Sequence, residues 1–172
     1  MRSLVVYESW FGNTQRVAEK IATALANEGE VEIISVDDAL PPLSGVDLVV
    51  LGAPTHVHGL SSERSRKDAI GRRGDPGEIG IGVRGWIDRL PAGGGPHVAV
   101  FDTRAHKPEL LVGSAAHGIA RRVRRRGYRL AGEPESFFVE GTEGPLEEGE
   151  LERAWWWAWT LVNKVLPKAV MI

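Results

Sequence analysis

The 172-residue chain contains no cysteine, which removes disulfides, thiolate nucleophiles, cysteine-ligated iron–sulfur clusters and thiol redox switching together. Any redox chemistry therefore has to come from a bound cofactor. Long hydrophobic runs are missing too: the longest are strand-sized, far short of the about 20 residues that a bilayer-spanning helix needs. Met1-Arg2-Ser3 enters a strand directly, with no signal-peptide cleavage pattern before it, so a cytoplasmic protein with no membrane partner is expected. A dominant charge of either sign is absent. With 21 Lys and Arg against 23 Asp and Glu, the formal net charge is -2, which predicts neither general affinity for nucleic acid nor a strongly acidic docking surface.

What is present is ordinary globular composition, 42% hydrophobic and 26% charged, in a length that fits one domain spanning residues 1–172. The apolar runs have strand length. Ser3–Tyr7, Val31–Val36, Val46–Leu51, His97–Phe101 and Phe137–Val139 are strand candidates, and the nearly continuous apolar character of the third suggests a strand covered on both faces. Between them the period changes to that of a helix. Val17, Ile21, Ala24 and Leu25 mark a helix from about Thr14 to Asn27 that Gly29 stops, and Ala116, Ile119, Ala120 and Val123 mark one over Ser114–Arg126 closed by Gly127. A short helix and then a mobile loop are expected from Ser61 to about Gly82, a helical segment near Val83–Leu90, and a last helix over Glu150–Val165. Five strands separated largely by helices predict an α/β fold, a doubly wound five-stranded parallel sheet with right-handed crossovers and helices on both faces.

Ligands in such sheets sit beyond the carboxyl ends of the strands at the topological switch point. Three loops follow strands and share that edge: Glu8–Thr14, Ala53–Gly59 and Asp102–His106. In a sheet of order 2-1-3-4-5 their strands are neighbours, so the loops converge on one crevice. The first loop joins a buried strand to a helix N-terminus, where free backbone N–H groups and the positive dipole end favour a phosphate, and Ser9, Asn13 and Thr14 add side-chain donors. The same residues suit a plain helix cap, with Asn13 or Thr14 as the capping side chain. The loop is neither G-x-G-x-x-G nor a P-loop lysine motif, so it indicates neither dinucleotide nor nucleoside triphosphate chemistry.

The segment Val5-Val6-Tyr7-Glu8-Ser9-Trp10-Phe11-Gly12-Asn13-Thr14 resembles the FMN phosphate-binding signature of the flavodoxin-like family, and Gly52-Ala53-Pro54-Thr55-His56 resembles its second flavin-contacting loop. The phrase Phe138–Leu146 is similar to the actinobacterial members of that family. The resemblance implies that Ser9, Phe11, Gly12, Asn13 and Thr14 surround the phosphate of FMN with help from Thr55. It further implies that Pro54, Thr55, His56, Val57, His58 and Gly59, with Asp102, Thr103 and Arg104, border the ribityl chain and ring, and that Trp10 is the nearby aromatic. The expected function is an FMN-binding redox protein that carries electrons between a reductase and an acceptor. The alternatives are an FMN-dependent oxidoreductase acting directly on a quinone or other small organic acceptor, and a binding module on this fold that has lost or repurposed its cofactor site.

Two features depart from the pattern of the family. His56 and His58 stand where many flavodoxins place an aromatic, and an imidazole near its titration range can make a flavin potential pH-dependent; without acidic or cysteine partners at diagnostic spacing, no metal site is expected. Flavodoxin carriers are also usually acidic, whereas this chain is close to neutral. It carries Arg121, Arg122, Arg124, Arg125 and Arg126 together, either as a solvated face or as a patch for an acidic partner. The basic segment Arg64–Arg73, which follows the second loop, is either a lid, a contact for an anionic substrate or a flexible surface connection. In the last helix, Leu151, Ala154, Trp155, Ala158, Leu161, Val162 and Val165 form an inward stripe that leaves Trp156, Trp159 and Asn163 beside it. Those tryptophans either pack under the arginine-rich helix by cation–π contact or form a homodimer interface.

Overall fold

The computed structural model describes residues 1–56, 59–74 and 78–166. Five strands form one parallel sheet: β1 (Arg2–Tyr7), β2 (Glu30–Ser35), β3 (Leu48–Pro54), β4 (His97–Ala105) and β5 (Glu135–Val139), in the order β2-β1-β3-β4-β5. The helices are α1 (Asn13–Leu25), α2 (Glu63–Arg73), α3 (Gly82–Arg89), the single turn α4 (Glu109–Val112), α5 (Ala115–Arg125) and α6 (Glu150–Val165). The chain leaves β1 towards β2 on one side and returns to β3 on the other, so the switch point lies between β1 and β3. This is the flavodoxin-like doubly wound architecture that the pattern of strands and helices predicts.

Strand alternation sorts the core into two layers. Leu4, Val6, Val49, Leu51, Val98 and Val100 point to one face, where α3 and α5 cover them with Trp86, Ile87, Ile119 and Val123. Val5, Leu48, Val50, Ala99 and Phe101 point to the other face, under Val17, Ile21 and Leu25 of α1 and Ala154, Ala158 and Leu161 of α6. A side chain of Leu, Ile or Phe size contributes roughly 1.5–3 kcal/mol when fully buried. Both layers are therefore needed to hold a sheet whose central strands expose neither face. β2, one of the two edge strands, is half exposed.

The two-layer arrangement corrects the cation–π expectation. The arginine-rich α5 and the tryptophan-rich α6 lie on opposite faces of the sheet, so they do not pack together. α6 sits on α1, and Trp157 reaches inward to Phe101 and Phe137 with edge-on rings 6.2 and 5.9 Å away. Trp156 and Trp159 fall on the adjoining stripe as the spacing predicts and remain 61% and 47% exposed. Arg104 stacks over Phe138, and Arg153 over Phe137 and Phe138.

Several boundaries moved for local reasons. α1 starts at Asn13 and tightens into a 3-10 turn over Ala26–Glu28 before Gly29, where a Cβ would lie 2.0 Å from the Met1 carbonyl. β4 runs through Asp102, Thr103 and Arg104 to Ala105, because β5 pairs with it from Phe101 to Ala105; Asp102–Arg104 is thus strand and not loop. The basic segment is a regular helix of eleven residues, started by a reciprocal Ser62–Ser65 capping box and ended by Gly74 in the left-handed region. The mobile loop expected after it falls partly on residues 75–77, outside the described residues.

Gly52 on β3 shows how closely the layers fit. Its partner in register is Phe101, and a Cβ at Gly52 would lie 2.0 Å from the Phe101 ring. Gly52→Ala is expected to destabilise the protein by about 1–3 kcal/mol through overpacking. Adding Phe101→Leu should recover part of that loss in urea unfolding, and strictly additive destabilisation would contradict the packing account.

Candidate functional site

A cleft of about 360 Å³ opens at the carboxyl ends of β1, β3, β4 and β5. Its walls come from Ser9, Trp10, Phe11, Asn13 and Thr14 after β1, and from Pro54, Thr55 and His56 at the end of β3. Thr103, Arg104 and Ala105 at the end of β4, and Val139, Gly141 and Thr142 around the end of β5, complete the sheet side. Two helices close the flanks: Ser65, Asp68, Ala69 and Arg72 of α2, and Leu111 and Val112 of α4.

The start of α1 is left open. Gly12 precedes the helix at φ 85°, in the left-handed region that suits glycine, and as the residue at the cap position it has no side chain to offer. The capping role that the sequence offered to Asn13 or Thr14 is therefore not used. Asn13 instead donates from Nδ2 to the Glu143 carbonyl at 2.7 Å, which holds the Gly141–Thr142 turn against the cleft. Thr14 Oγ1 lies 2.7 Å from Thr103 Oγ1 and joins the helix to β4. Ser9 Oγ reaches forward to accept the Gln15 N–H at 3.3 Å. Among the described residues nothing accepts from the N–H groups of Gly12, Asn13 and Thr14. Unpaired donors at the positive end of a thirteen-residue helix, facing a cleft, form an anion site.

A buried carboxylate fixes the second and third segments. Asp102 is fully buried, and its Oδ2 accepts from Ser114 Oγ at 2.6 Å, Thr55 Oγ1 at 3.0 Å and the Ala116 N–H at 3.0 Å. Thr55 Oγ1 in turn accepts the Ala115 N–H at 2.9 Å. Asp102 is thus not part of the cleft wall; it ties β3, β4 and the start of α5 together behind it. The Thr55 hydroxyl is engaged on both sides, although the residue lines the cleft. Arg104 lines the cleft while donating to Ser136 Oγ at 3.1 Å and to the Lys107 carbonyl at 2.8 Å, lying over Phe138.

Glu8, which the sequence placed only at the start of the first loop, positions the aromatic wall. It is buried; Oε1 accepts from Trp10 Nε1 at 3.0 Å and Oε2 from the Val83 N–H at 2.9 Å, in the first turn of α3. Gly82 leaves room for this contact, since a Cβ there would lie 3.1 Å from Glu8 Oε2 and 2.8 Å from Arg66 Nη1.

His56 stands in the wall of the cleft, its backbone bridged to Gly59 by reciprocal bonds of 2.7 and 2.9 Å. Gly59 supports this turn without itself lining the cleft. Val57 and His58 lie outside the described residues. Of the candidates from the first two loops and β4, the structure therefore gathers Ser9, Trp10, Phe11, Asn13, Thr14, Pro54, Thr55, His56, Thr103 and Arg104. Gly12 contributes its backbone. The contribution of α2, α4 and the turn after β5 was missed. For that turn a signal existed, because it follows a parallel strand and must fall on the same edge as the other three loops. The α2 wall was visible only as a basic segment of undecided role.

The geometry suits a ligand with an anionic end at α1 and a flat body between aromatic and apolar side chains. Residues 4–65 match the family described as a flavodoxin domain, and the structure resembles solved flavodoxins. An archaeal flavodoxin is 20% identical with TM-score 0.65, over 96% of this chain and 99% of that one. Oxidised flavodoxin 2 from Bacillus cereus is 20% identical with TM-score 0.64, over 95% and 99%. A short-chain flavodoxin associated with a bacterial microcompartment is 16% identical with TM-score 0.65, over 96% and 99%. The chain thus has a flavodoxin-like fold, with a match to the flavodoxin domain confined to its first third.

Burial pushes the His56 imidazole below its ordinary value of 6.5, the guanidinium groups of Arg66 and Arg72 push the same way, and only Glu8 opposes them. A base whose folded-state pKa is depressed adds stability in its neutral form. That contribution is complete above about pH 6.5 and is lost as the pH falls through the folded-state value. An NMR titration of His56 should give a midpoint below 6.5, and His56→Gln should flatten the loss of stability below that pH. A midpoint at or above 6.5 would contradict the half-buried, neutral imidazole.

Proposed function

We propose that this protein binds FMN in the cleft and works as a redox protein that carries electrons between a reductase and an acceptor. The observation that carries the reading is the open start of α1: three N–H donors without partners among the described residues, beside the hydroxyls of Ser9 and Thr14, at the switch point of a flavodoxin-like sheet. A phosphate is the chemical group that such a terminus accepts best. The fit extends beyond the phosphate. Trp10, held edgewise by Glu8, together with Pro54, Val112 and Val139 gives flat apolar walls for a planar ring, while His56 and Thr142 offer polar atoms at its rim.

In this reading Gly12, Asn13 and Thr14 hold the phosphate with their N–H groups, and Ser9 adds its hydroxyl proton while its oxygen keeps the Gln15 N–H. The bound flavin supplies reversible one- and two-electron chemistry, which no side chain of this cysteine-free protein provides. Asp102 keeps the β3 and β4 sides of the cleft in place, Asn13 keeps the turn after β5 in place, and the apolar walls exclude water from the ring. His56, neutral at pH 7, can hydrogen-bond to the flavin without adding charge beside it. No general base or nucleophile is required, since an electron carrier only has to hold, tune and expose its cofactor.

The purified protein should be yellow or turn yellow on addition of FMN, with riboflavin bound more weakly because it lacks the phosphate. Ser9→Glu places a like charge at the phosphate site and should weaken FMN binding at least about tenfold, 1.4 kcal/mol, with an unchanged circular dichroism spectrum. A folded protein that fails to take up FMN would overturn the proposal. Turnover of NAD(P)H with a quinone and no added reductase would replace the carrier role by direct oxidoreductase activity.

A further inference from the structure

Charge along the second half of the chain is sharply divided. Residues 115–129 carry Arg121, Arg122, Arg124, Arg125, Arg126 and Arg129 and no carboxylate, whereas residues 130–152 carry only glutamates as charged residues. Two of these arginines are committed to the fold: Arg122 is half-buried, and Arg126 donates to the Leu90 carbonyl. Arg121, Arg124 and Arg125 are exposed and make no ion pair with any described residue. Their spacing puts them on one face of α5, where with His117 and Ala120 they line a shallow open hollow.

The face runs directly to the cleft. α5 begins where Ser114 and Ala116 are bound to Asp102, and His117 in its first turn is joined at 2.6 Å to Glu109 of α4. α4 presents Leu110 and Leu111, 95% and 62% exposed, and Leu111 is also part of the cleft wall. At 1.5 Å per residue, Arg121 lies about 9 Å and Arg125 about 15 Å from the start of the helix. One interface of ordinary size, about 800 Å² per partner, spans both the leucines and the arginines. Favourable interaction with the helix dipole accounts for cations in the last turn of α5. It does not account for Arg121, nor for two exposed leucines at the rim of the cleft.

We infer that the face of α4 and α5 is the docking surface for an acidic redox protein, whose carboxylates meet Arg121, Arg124 and Arg125 while Leu110 and Leu111 seal the contact beside the cleft. The inference rests on the FMN reading for its purpose but not for its binding measurement, because the arginines lie outside the cleft. In the productive complex one electron leaves the reduced partner's centre and enters the flavin, so the partner is oxidised by one electron as the flavin is reduced by one, with no bond made between the proteins. The overall charge of -2 gives no general attraction to an acidic partner. Steering must therefore come from the local patch and must fade with salt over a Debye length of about 10 Å at 0.1 M.

The test uses an acidic plant-type ferredoxin as probe, with association measured by calorimetry from 20 to 200 mM salt (order-of-magnitude settings for screening), with and without added FMN. Binding should weaken steadily with salt. The triple variant Arg121→Gln, Arg124→Gln, Arg125→Gln should lose about tenfold in affinity at low salt while keeping its FMN uptake, and Leu110→Ser should weaken binding with no change in the salt slope. The corresponding lysine triple variant, which keeps the charge, should restore most of the affinity, so that a general loss of structure is told apart from a loss of charge. Unchanged binding in the glutamine variant, or binding that does not depend on salt, would overturn the inference. So would arginine-dependent binding of RNA or of phosphatidylserine vesicles with none of the ferredoxin. Failure of FMN uptake with salt-dependent ferredoxin binding intact would remove the functional reading and leave the docking surface standing.

Discussion

The Asp102 carboxylate is the contact on which the shape of the cleft depends. One oxygen of a fully buried side chain accepts from Ser114, Thr55 and the Ala116 N–H, and so joins the ends of two adjacent central strands to the start of a helix. A carboxylate withdrawn from water is costly unless its hydrogen bonds are made, and removing the partners of such a group costs several kcal/mol. Its negative charge also sits at the positive end of α5, where the helix dipole stabilises it. The consequence is a rigid back wall. β3 and β4 present Pro54, Thr55, Thr103 and Arg104 to the cleft at positions that the surface loops do not have to maintain.

Against that back wall the start of α1 is the unsatisfied part of the structure. The starts of three other helices are met by side chains: α2 by its capping box, α5 by Ser114, and the first turn of α3 by Glu8. At α1 the two residues best suited to capping are turned to other work, Asn13 to the turn after β5 and Thr14 to β4. Among the described residues, the N–H groups of Gly12, Asn13 and Thr14 are thus left without an acceptor at a helix terminus that faces the cleft. On the proposed reading a phosphate there would complete bonds that the described residues leave open, which would link the stability of this turn to the binding of a ligand.

The architecture was legible in the sequence because its signals were redundant. Five apolar runs, helical spacing at Val17–Leu25 and Ala116–Val123, and glycine stops all favoured one topology, and the exposed stripe of Trp156 and Trp159 followed from spacing alone. The site was legible as far as it was local: Ser9–Thr14 forms a contiguous signature, and so does Pro54–His56. What sequence did not reveal were contacts between segments far apart in the chain. Asp102 reads as a loop residue until β5 extends the pairing of β4, and Glu8 as a loop start until α3 folds over it. Asn13 reads as a cap until Glu143 is brought beside it. The same limit explains the mistaken stacking of α5 with α6, since amphipathic patterns identify an inward face but not which side of the sheet it covers.

The account stands most directly on the N–H groups at the start of α1. The measurement that reaches them is a 15N–1H correlation spectrum of the protein titrated with FMN and, separately, with riboflavin. The account predicts large shifts of the Gly12, Asn13 and Thr14 amides with FMN and much smaller ones at those three with riboflavin, while residues along the rest of the cleft respond to both. Equal responses of the three amides to the two ligands, or none to FMN, would contradict it.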